Sequence, residues 1–80
     1  MTGLAVLLTM SGCGAPKPDR QGLIDAGNRH FWRAEHVEAL GLYKAAYEQD
    51  RADPDVLFKI GECNFYLGNY REACKWYRQT

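Results

Sequence analysis

Apolar and small residues recur at the spacing of an α-helix in four successive stretches of the chain. Within each stretch most of them lie three or four positions apart, so they form one stripe along a helix and leave the opposite face polar. The stripes consist of Leu23, Ala26, Gly27, His30 and Phe31; of Ala39, Leu40, Tyr43, Ala46 and Tyr47; of Leu57, Ile60, Gly61, Asn64 and Phe65; and of Ala73, Trp76, Tyr77 and Thr80. This pattern predicts four amphipathic helices and an all-α fold.

Capping and turn residues place the boundaries of the third and fourth helices. Asp53 and Pro54 predict a helix start, because an Asp side chain accepts a hydrogen bond from a free amide and proline has no amide to leave unpaired. Gly68 can adopt the left-handed conformation that closes a helix. Asn69 with Glu72 three residues later is the pattern of a capping box, which predicts the start of the fourth helix.

The first two helices have weaker boundary signals. Asp19 can cap the first helix. Residues 33–36 are expected to contain the reversal between the first and second helices, although they include no strong turn residue. This boundary is therefore predicted only to within several residues.

The second half of the chain repeats the first at a constant shift, which we call the repeat shift. It pairs Leu23 with Leu57, Gly27 with Gly61, Phe31 with Phe65, Glu38 with Glu72, Ala39 with Ala73 and Tyr43 with Tyr77. A glycine within a helix costs about 1 kcal/mol relative to alanine, so its recurrence in both halves needs a compensating contact. We expect the ring of Tyr43 or Tyr77 to occupy the space beside the glycine of the facing helix. The small side chains of Ala39 and Ala73 would let neighbouring backbones approach.

These residues resemble the tetratricopeptide repeat, a helix-turn-helix unit of about 34 residues with small and aromatic residues at set positions. The second unit carries the family pattern at Leu57, Ile60, Gly61, Gly68, Tyr70, Ala73 and Tyr77, and the first at Leu23, Ala26, Gly27, Ala39, Tyr43 and Ala46. The resemblance covers residues 21–80. It implies tandem antiparallel helix-turn-helix repeats, an α-solenoid of about two units at about 20–53 and 54–80.

The chain departs from the family pattern at three places. His36 stands at the position of the turn aromatic, and Arg51 stands where the family has a proline. The second unit reaches Thr80 with no solvating helix after it, whereas solenoids generally need three or more units and a polar cap. We therefore expect either the front of a longer array or an open end, near Cys74 and Trp76, that a partner or a second copy of the chain covers.

The resemblance also implies protein binding, since stacked repeats of this family hold an extended peptide or a helix in a concave groove. The expected lining consists of Ile24, Asn28, Phe31, Trp32, Phe58, Glu62, Phe65 and Tyr66. Large aromatic side chains are typical anchors for a partner, and the alternative is that these rings belong to the core. The family's clamp for C-terminal carboxylates is disfavoured, because Asn28 matches it but Ile24 stands in place of the cation.

Residues 1–13 contain no charged side chain, unlike the rest of the chain. The apolar run at 4–10 is far shorter than the ~20 residues that a helix needs to cross a bilayer, and it ends in small residues as a signal-peptide cleavage region does. The residues at 10–13, Met-Ser-Gly-Cys, resemble the bacterial lipobox, in which the cysteine is acylated and becomes the mature N-terminus. The alternative is an apolar N-terminal helix that packs on the domain.

The lipobox resemblance implies a signal peptide at 1–12, a lipidated tether at 13–19 and attachment to the membrane through acylated Cys13. Gly14 is not the Asp that retains lipoproteins at the inner membrane, so the implied location is the outer membrane of the bacterial cell envelope, facing the periplasm. Two features depart from the pattern. Met10 stands where Leu is usual, and residues 1–3 lack Lys and Arg, which leaves open a true start further upstream.

Charge and side-chain chemistry narrow the classes of function. The ten basic and ten acidic residues cancel, so no general basic surface is expected to bind nucleic acid. His30 and His36 have no carboxylate or thiol at metal-ligand spacing, and no serine follows Ser11 to act as a nucleophile. We predict that the chain is not an enzyme and has no cofactor and no metal site.

Two cysteines remain after lipidation, on the facing helices of one predicted hairpin. Cys63 and Cys74 can form a disulfide in an oxidising compartment, or they can stay free and pack as small hydrophobic residues. The overall prediction is a lipid-anchored protein-binding scaffold or assembly adaptor. The alternatives are the N-terminal fragment of a longer repeat protein and the accessory domain of an enzyme, with no independent activity.

Overall fold

Four helices form the part of the chain, residues 18–80, that the computed structural model describes. They are α1 at Arg20–Trp32, α2 at His36–Gln49, α3 at Pro54–Tyr66 and α4 at Tyr70–Arg78. Each helix packs against the next one along the chain, which gives two successive helical hairpins with no strand in the described region. The predicted all-α repeat of about two units is confirmed. The predicted signal peptide, Cys13 and most of the tether lie outside the described residues.

The core lies between the two hairpins and is formed mainly by α2 and α3. Its fully or almost fully buried side chains are Leu23, Ala39, Tyr43, Ala46, Val56, Leu57, Ile60, Cys63 and Ala73. Most of the predicted stripe positions are confirmed. The exceptions are Phe65, whose side chain is 48% exposed, and Thr80, which is also exposed. Val56 and Cys63 are buried outside the predicted stripe, because α3 packs against both α2 and α4 and so buries more than one face.

Each hairpin is closed by a tyrosine ring packed against a helical glycine. A Cβ atom added to Gly27 would lie 2.7 Å from Cε1 of Tyr43, and one added to Gly61 would lie 2.6 Å from Cε1 of Tyr77. Such distances are shorter than side-chain carbons adopt, so both rings occupy the space that the missing side chain leaves. The predicted reason for the recurrence of glycine is confirmed.

The two hairpins turn with the same backbone shape, although different residues form the bend. Ala34 has φ 62° and Gly68 has φ 86°, so both adopt the left-handed conformation directly after a helix. The Ala34 amide donates to the Phe31 carbonyl at 2.9 Å, and the Gly68 amide donates to the Phe65 carbonyl at 3.0 Å. Gly68 thus ends α3 as predicted, whereas the first turn places an alanine where glycine is the usual residue.

A pair of side chains spans each of these turns. Nδ1 of His30 lies 2.7 Å from Oε1 of Glu35 in the first turn, and Nδ2 of Asn69 donates to Oδ1 of Asn64 at 3.5 Å in the second. Asn69 is the N-cap of α4, but its side chain makes no hydrogen bond to the helix. The predicted capping box with Glu72 is therefore wrong, because the Asn69 side chain is engaged by Asn64 instead.

Aspartates begin the first helix of each hairpin, as predicted. Asp19 accepts from the Gly22 amide at 2.8 Å, and Asp53 accepts from the Asp55 amide at 3.0 Å. The carboxylate of Asp53 also forms an ion pair with Arg20. This pair joins the start of α1 to the start of α3, and so helps to set the two hairpins in register.

Candidate interaction surface

A small cleft lies between α1 and α3, with a volume of about 190 Å³. Its lining consists of Ile24, Asn28, Tyr43, Asp55, Val56, Phe58 and Lys59. Three of these, Ile24, Asn28 and Phe58, belong to the lining expected from the sequence. Tyr43 was missed because the expectation used only the first helix of each hairpin. The remaining three were missed because it did not include the side of α3 that faces α1.

A hydrogen bond at the base of the cleft orients Asn28. The Tyr43 hydroxyl donates to Oδ1 of Asn28 at 2.5 Å. Burial, followed by electrostatic interaction with Cys63 and Glu62, raises the pKa of Tyr43 to about 12. The hydroxyl therefore stays protonated as a donor at ordinary pH. This bond uses one of the two lone pairs of the Asn28 carbonyl oxygen, and the side-chain N–H groups of Asn28 are available to a ligand in the cleft.

Five aromatic rings form a continuous row at the C-terminal ends of α1 and α3 and the start of α4. We call this set the aromatic row. In spatial order it consists of Trp32, Phe31, Tyr66, Phe65 and Tyr70. Their ring centroids are separated by 6.1, 5.8, 5.5 and 5.3 Å along the row, and each successive pair meets edge to face. These are favourable aromatic geometries. The row crosses from the first hairpin to the second.

Two further side chains connect the aromatic row to its surroundings. His36 stacks on Tyr66 with a centroid distance of 4.9 Å and an interplanar angle of 11°, and meets the edge of Phe31 at 5.3 Å. Nζ of Lys59 lies 5.2 Å from the centroid of Phe31, within cation–π distance. Since Lys59 also lines the cleft, the cleft and the aromatic row lie next to each other and form one surface.

Most rings of this surface are exposed to solvent. Trp32 is 80% exposed and Tyr66 58%, while Phe58 and Phe65 are each about half exposed. Phe31 is partly buried and packs against the core. The alternative that the expected lining rings belong to the core is therefore wrong for Trp32, Phe58, Phe65 and Tyr66. It applies only to Phe31.

Glu62 differs from the other seven residues of the expected lining. It belongs neither to the cleft nor to the aromatic row, and its side chain is half-buried. Its negative charge raises the pKa values of Tyr43, Cys63 and Tyr77, although burial is the largest cause in each case. Glu62 thus lies on the inner side of α3, close to the tyrosines that close the hairpins.

The two cysteines of the second hairpin are free thiols, so the disulfide that the sequence allows is not formed. Cys63 is fully buried in the core, whereas Cys74 is exposed on α4. Burial raises the pKa of Cys63 to about 11. Its thiol therefore remains protonated and unreactive, in agreement with the alternative of a small hydrophobic core residue.

Two other features are absent from residues 18–80. No three His, Cys, Asp or Glu side chains of this region lie together so that they could hold a metal ion. None of its helices has the length and apolar character required to cross a membrane. Comparisons of the chain with protein-family models, with curated proteins and with solved structures find no match.

Proposed function

We propose that this chain is a lipid-anchored protein-binding scaffold or assembly adaptor of the bacterial cell envelope. In this proposal the two hairpins are tetratricopeptide-like repeats that hold a peptide or a helix of a partner protein. The observation that carries the proposal is the aromatic row, to which both hairpins contribute and which lies beside the cleft between α1 and α3.

The exposed rings support a protein partner. Contiguous exposed aromatic side chains are uncommon on soluble proteins and mark interaction sites. Aromatic residues are also the commonest anchors of protein interfaces. Trp32 and Tyr66 are both more than half exposed in a region where each ring is already held by its neighbours. A partner that covers them would bury apolar area without having to order flexible side chains first.

The cleft supports the binding of one partner side chain with its backbone. Its volume of about 190 Å³ is below the roughly 300–1,000 Å³ of sites for drug-sized molecules, and its apolar walls come from Ile24, Val56 and Phe58. Polar groups of Asn28, Asp55 and Lys59 lie at the same cleft. They offer both donors and acceptors to a peptide backbone that passes from the cleft to the aromatic row.

The anchoring part of the proposal rests on residues 10–13 and on the apolar run before them. Acylation of Cys13 would place the two hairpins at a membrane surface, because each buried methylene contributes about 0.8 kcal/mol to membrane binding. The short proline-containing segment at 14–19 would then hold the hairpins a short distance from the bilayer.

Peptide binding is tested with the full chain and a random peptide library displayed on phage. Peptides enriched on the wild-type protein are synthesised with a fluorophore, and their dissociation constants are measured by fluorescence anisotropy. We expect Trp32→Ala, and separately the double variant Phe31→Ala with Phe65→Ala, to weaken binding by at least about 10-fold, as for anchor residues.

The matched control for peptide binding is Val37→Ala, because Val37 is exposed but lies outside the cleft and the aromatic row. It should bind the same peptides as tightly as the wild type does. Circular dichroism confirms that each variant is folded, which matters most for Phe31. Equal affinity of wild type and Trp32→Ala for every enriched peptide would exclude the groove.

Anchoring is tested by expression of the full chain in a bacterium that is fed radioactive palmitate. The wild-type protein should carry the label and sediment with membranes, and Cys13→Ala should lose both. A wild-type protein that incorporates no palmitate would refute lipidation and leave peptide binding to be judged on its own.

A further inference from the structure

The contact between the two hairpins contains a socket for an aromatic ring. Phe31 and His36 meet edge to face with 5.3 Å between centroids. Tyr66 of the second hairpin fits against both of them, at 5.8 Å from Phe31 and 4.9 Å from His36. One hairpin therefore supplies a pair of rings and the next supplies the ring that packs against both of them.

The second hairpin carries the same socket at the positions related by the repeat shift. Phe65 and Tyr70 correspond to Phe31 and His36, and they also meet edge to face with 5.3 Å between centroids. Their interplanar angle is 62°, against 69° in the first hairpin. Phe65 and Tyr70 are 48% and 61% exposed. This second socket therefore has the geometry of the filled one and an accessible surface.

The first hairpin carries the ring that matches this second socket. The repeat shift pairs Trp32 with Tyr66, and both are the last residue of the first helix in their hairpin. Trp32 is 80% exposed. The first hairpin thus presents an exposed ring at the position where the second hairpin presents the ring that packs against Phe31 and His36.

We propose that the chain associates head to tail with a second copy of itself, with Trp32 of one copy packed against Phe65 and Tyr70 of the other. The first hairpin of one copy then sits on the second hairpin of its neighbour as the two hairpins of one chain sit on each other. The proposed interface is a continuation of the contact seen within the chain. It requires no peptide and no lipid, so it does not depend on the proposed function.

Charge at the equivalent positions favours this occupant. Within the chain, Asn28 binds the Tyr43 hydroxyl, and the Cys63 side chain lies close enough to influence it. The repeat shift places Glu62 at the position of Asn28, and Arg29 of the neighbouring copy at that of Cys63. The half-buried carboxylate of Glu62 and the guanidinium of Arg29 would thus lie on opposite sides of the same contact. Neither side chain forms an ion pair with another described residue.

Several contacts of the internal interface are not reproduced between copies. Val56, Ile60 and Cys63 are buried within the chain, and the repeat shift places Gly22, Ala26 and Arg29 at their positions. Arg20 pairs with Asp53 within the chain, but the equivalent positions between copies are Pro54 and Asp19. The contact between copies should therefore be weaker than the internal one and should depend on concentration. A head-to-tail contact leaves an unused ring at one end and an unused socket at the other. It therefore adds further copies and does not close as a two-fold dimer.

Sedimentation velocity of the full chain, in a density-matched detergent over a wide range of concentration, tests the proposal. The wild type should form dimers and longer species as its concentration rises. Trp32→Ala removes the inserted ring and Phe65→Ala removes the socket, so each variant alone should remain monomeric. Val37→Ala should associate as the wild type does. Circular dichroism establishes that the variants are folded.

A mixture of the two monomeric variants gives the most specific result. Trp32→Ala retains an intact socket and Phe65→Ala retains an intact tryptophan, so an equimolar mixture should form one-to-one dimers and no longer species. Three results would each overturn the proposal: a wild type that is monomeric at every concentration, association that survives in Trp32→Ala, or a mixture that stays monomeric. Association through residues 1–17 would give the second of these results.

Discussion

At the scale of single residues, the pairs of glycine and tyrosine decide how closely the two helices of each hairpin approach. The Tyr43 ring is fully buried against Gly27, and the Tyr77 ring is partly buried against Gly61. A fully buried ring surrounded by core residues has little freedom to move away from an added atom. The first pair should therefore tolerate change less well than the second.

Gly27→Ala is expected to lower the free energy of unfolding by about 1–3 kcal/mol, the usual cost of an overpacked core. The new Cβ would lie 2.7 Å from the Tyr43 ring, which outweighs the gain of about 1 kcal/mol in helix propensity. Gly61→Ala should cost less, since the Tyr77 ring can shift toward solvent. Urea unfolding followed by circular dichroism measures these differences.

Gly41→Ala is the matched control for the glycine substitutions, because nothing lies within 4 Å of a Cβ added to Gly41 in α2. It should raise the free energy of unfolding by up to about 1 kcal/mol through helix propensity alone. If Gly27→Ala were as stabilising as Gly41→Ala, the ring contact would not be what keeps a glycine at position 27.

At the scale of the helices and their turns, the two hairpins show that one backbone shape can arise from different sequences. Gly68 takes its positive φ without steric cost, whereas Ala34 must hold φ 62° with a Cβ atom present. The hydrogen bonds that close the two turns are nearly the same length. Helix packing therefore imposes the turn on Ala34, which has no preference for it.

Ala34→Gly is expected to raise the free energy of unfolding by about 1 kcal/mol. The left-handed conformation costs alanine about 1–2 kcal/mol, and glycine removes this cost. The greater entropy of glycine in the unfolded chain cancels part of the resulting stabilisation. The reverse change, Gly68→Ala, should lower stability by a similar amount. Thermal and urea unfolding of both variants measure the effect, and a destabilised Ala34→Gly protein would show that the first turn is not strained.

At the scale of the whole molecule, α3 is the element on which both hairpins depend. It packs against α2 on one side and α4 on the other, and it buries Val56, Ile60 and Cys63. The buried hydroxyl of Tyr43 and the thiol of Cys63 lie in this shared core. Their ionisation would place negative charge in an apolar interior, so it should be linked to the unfolding of the whole molecule.

Stability is expected to fall in alkaline solution. Burial raises the pKa of Tyr43 from 10.0 to about 12 and that of Cys63 from 9.0 to about 11. The folded state holds both protons more tightly than the unfolded chain does. Their contribution is therefore complete below the ordinary pKa values, declines as pH rises above them, and is lost once pH exceeds the raised values.

Urea unfolding at a series of pH values from about 8 to about 12 measures this decline. Tyr43→Phe and Cys63→Ala should each make the dependence on pH shallower, because each removes one group whose pKa is raised in the folded state. Tyr43→Phe should also be less stable near neutral pH, since Asn28 loses the hydroxyl that donates to it. An unchanged pH profile in both variants would assign the alkaline transition to other groups.

Much of the candidate surface could be predicted from the sequence, but its arrangement could not. Seven of the eight expected lining residues lie at the cleft or in the aromatic row, and only Glu62 belongs to neither. Tyr70 and Lys59 were missed, although both are essential to the continuity of the surface. Their roles depend on which rings meet across the two hairpins, and a helical period in one segment contains no such information.

The sequence alone predicts the four helices, the internal repeat and the contact of each tyrosine with a glycine. These follow from local periodicity and from recurrence along one chain. The packing of the helices, by contrast, sets the exposure of Phe65 and the burial of Val56 and Cys63. It also leaves Cys74 exposed and not bonded to Cys63. The same packing places Tyr66 against Phe31 and His36 and leaves the equivalent pair, Phe65 and Tyr70, accessible. The physical reason is that burial and pairing depend on how helices pack across the hairpins, and packing brings together residues that are far apart in the chain.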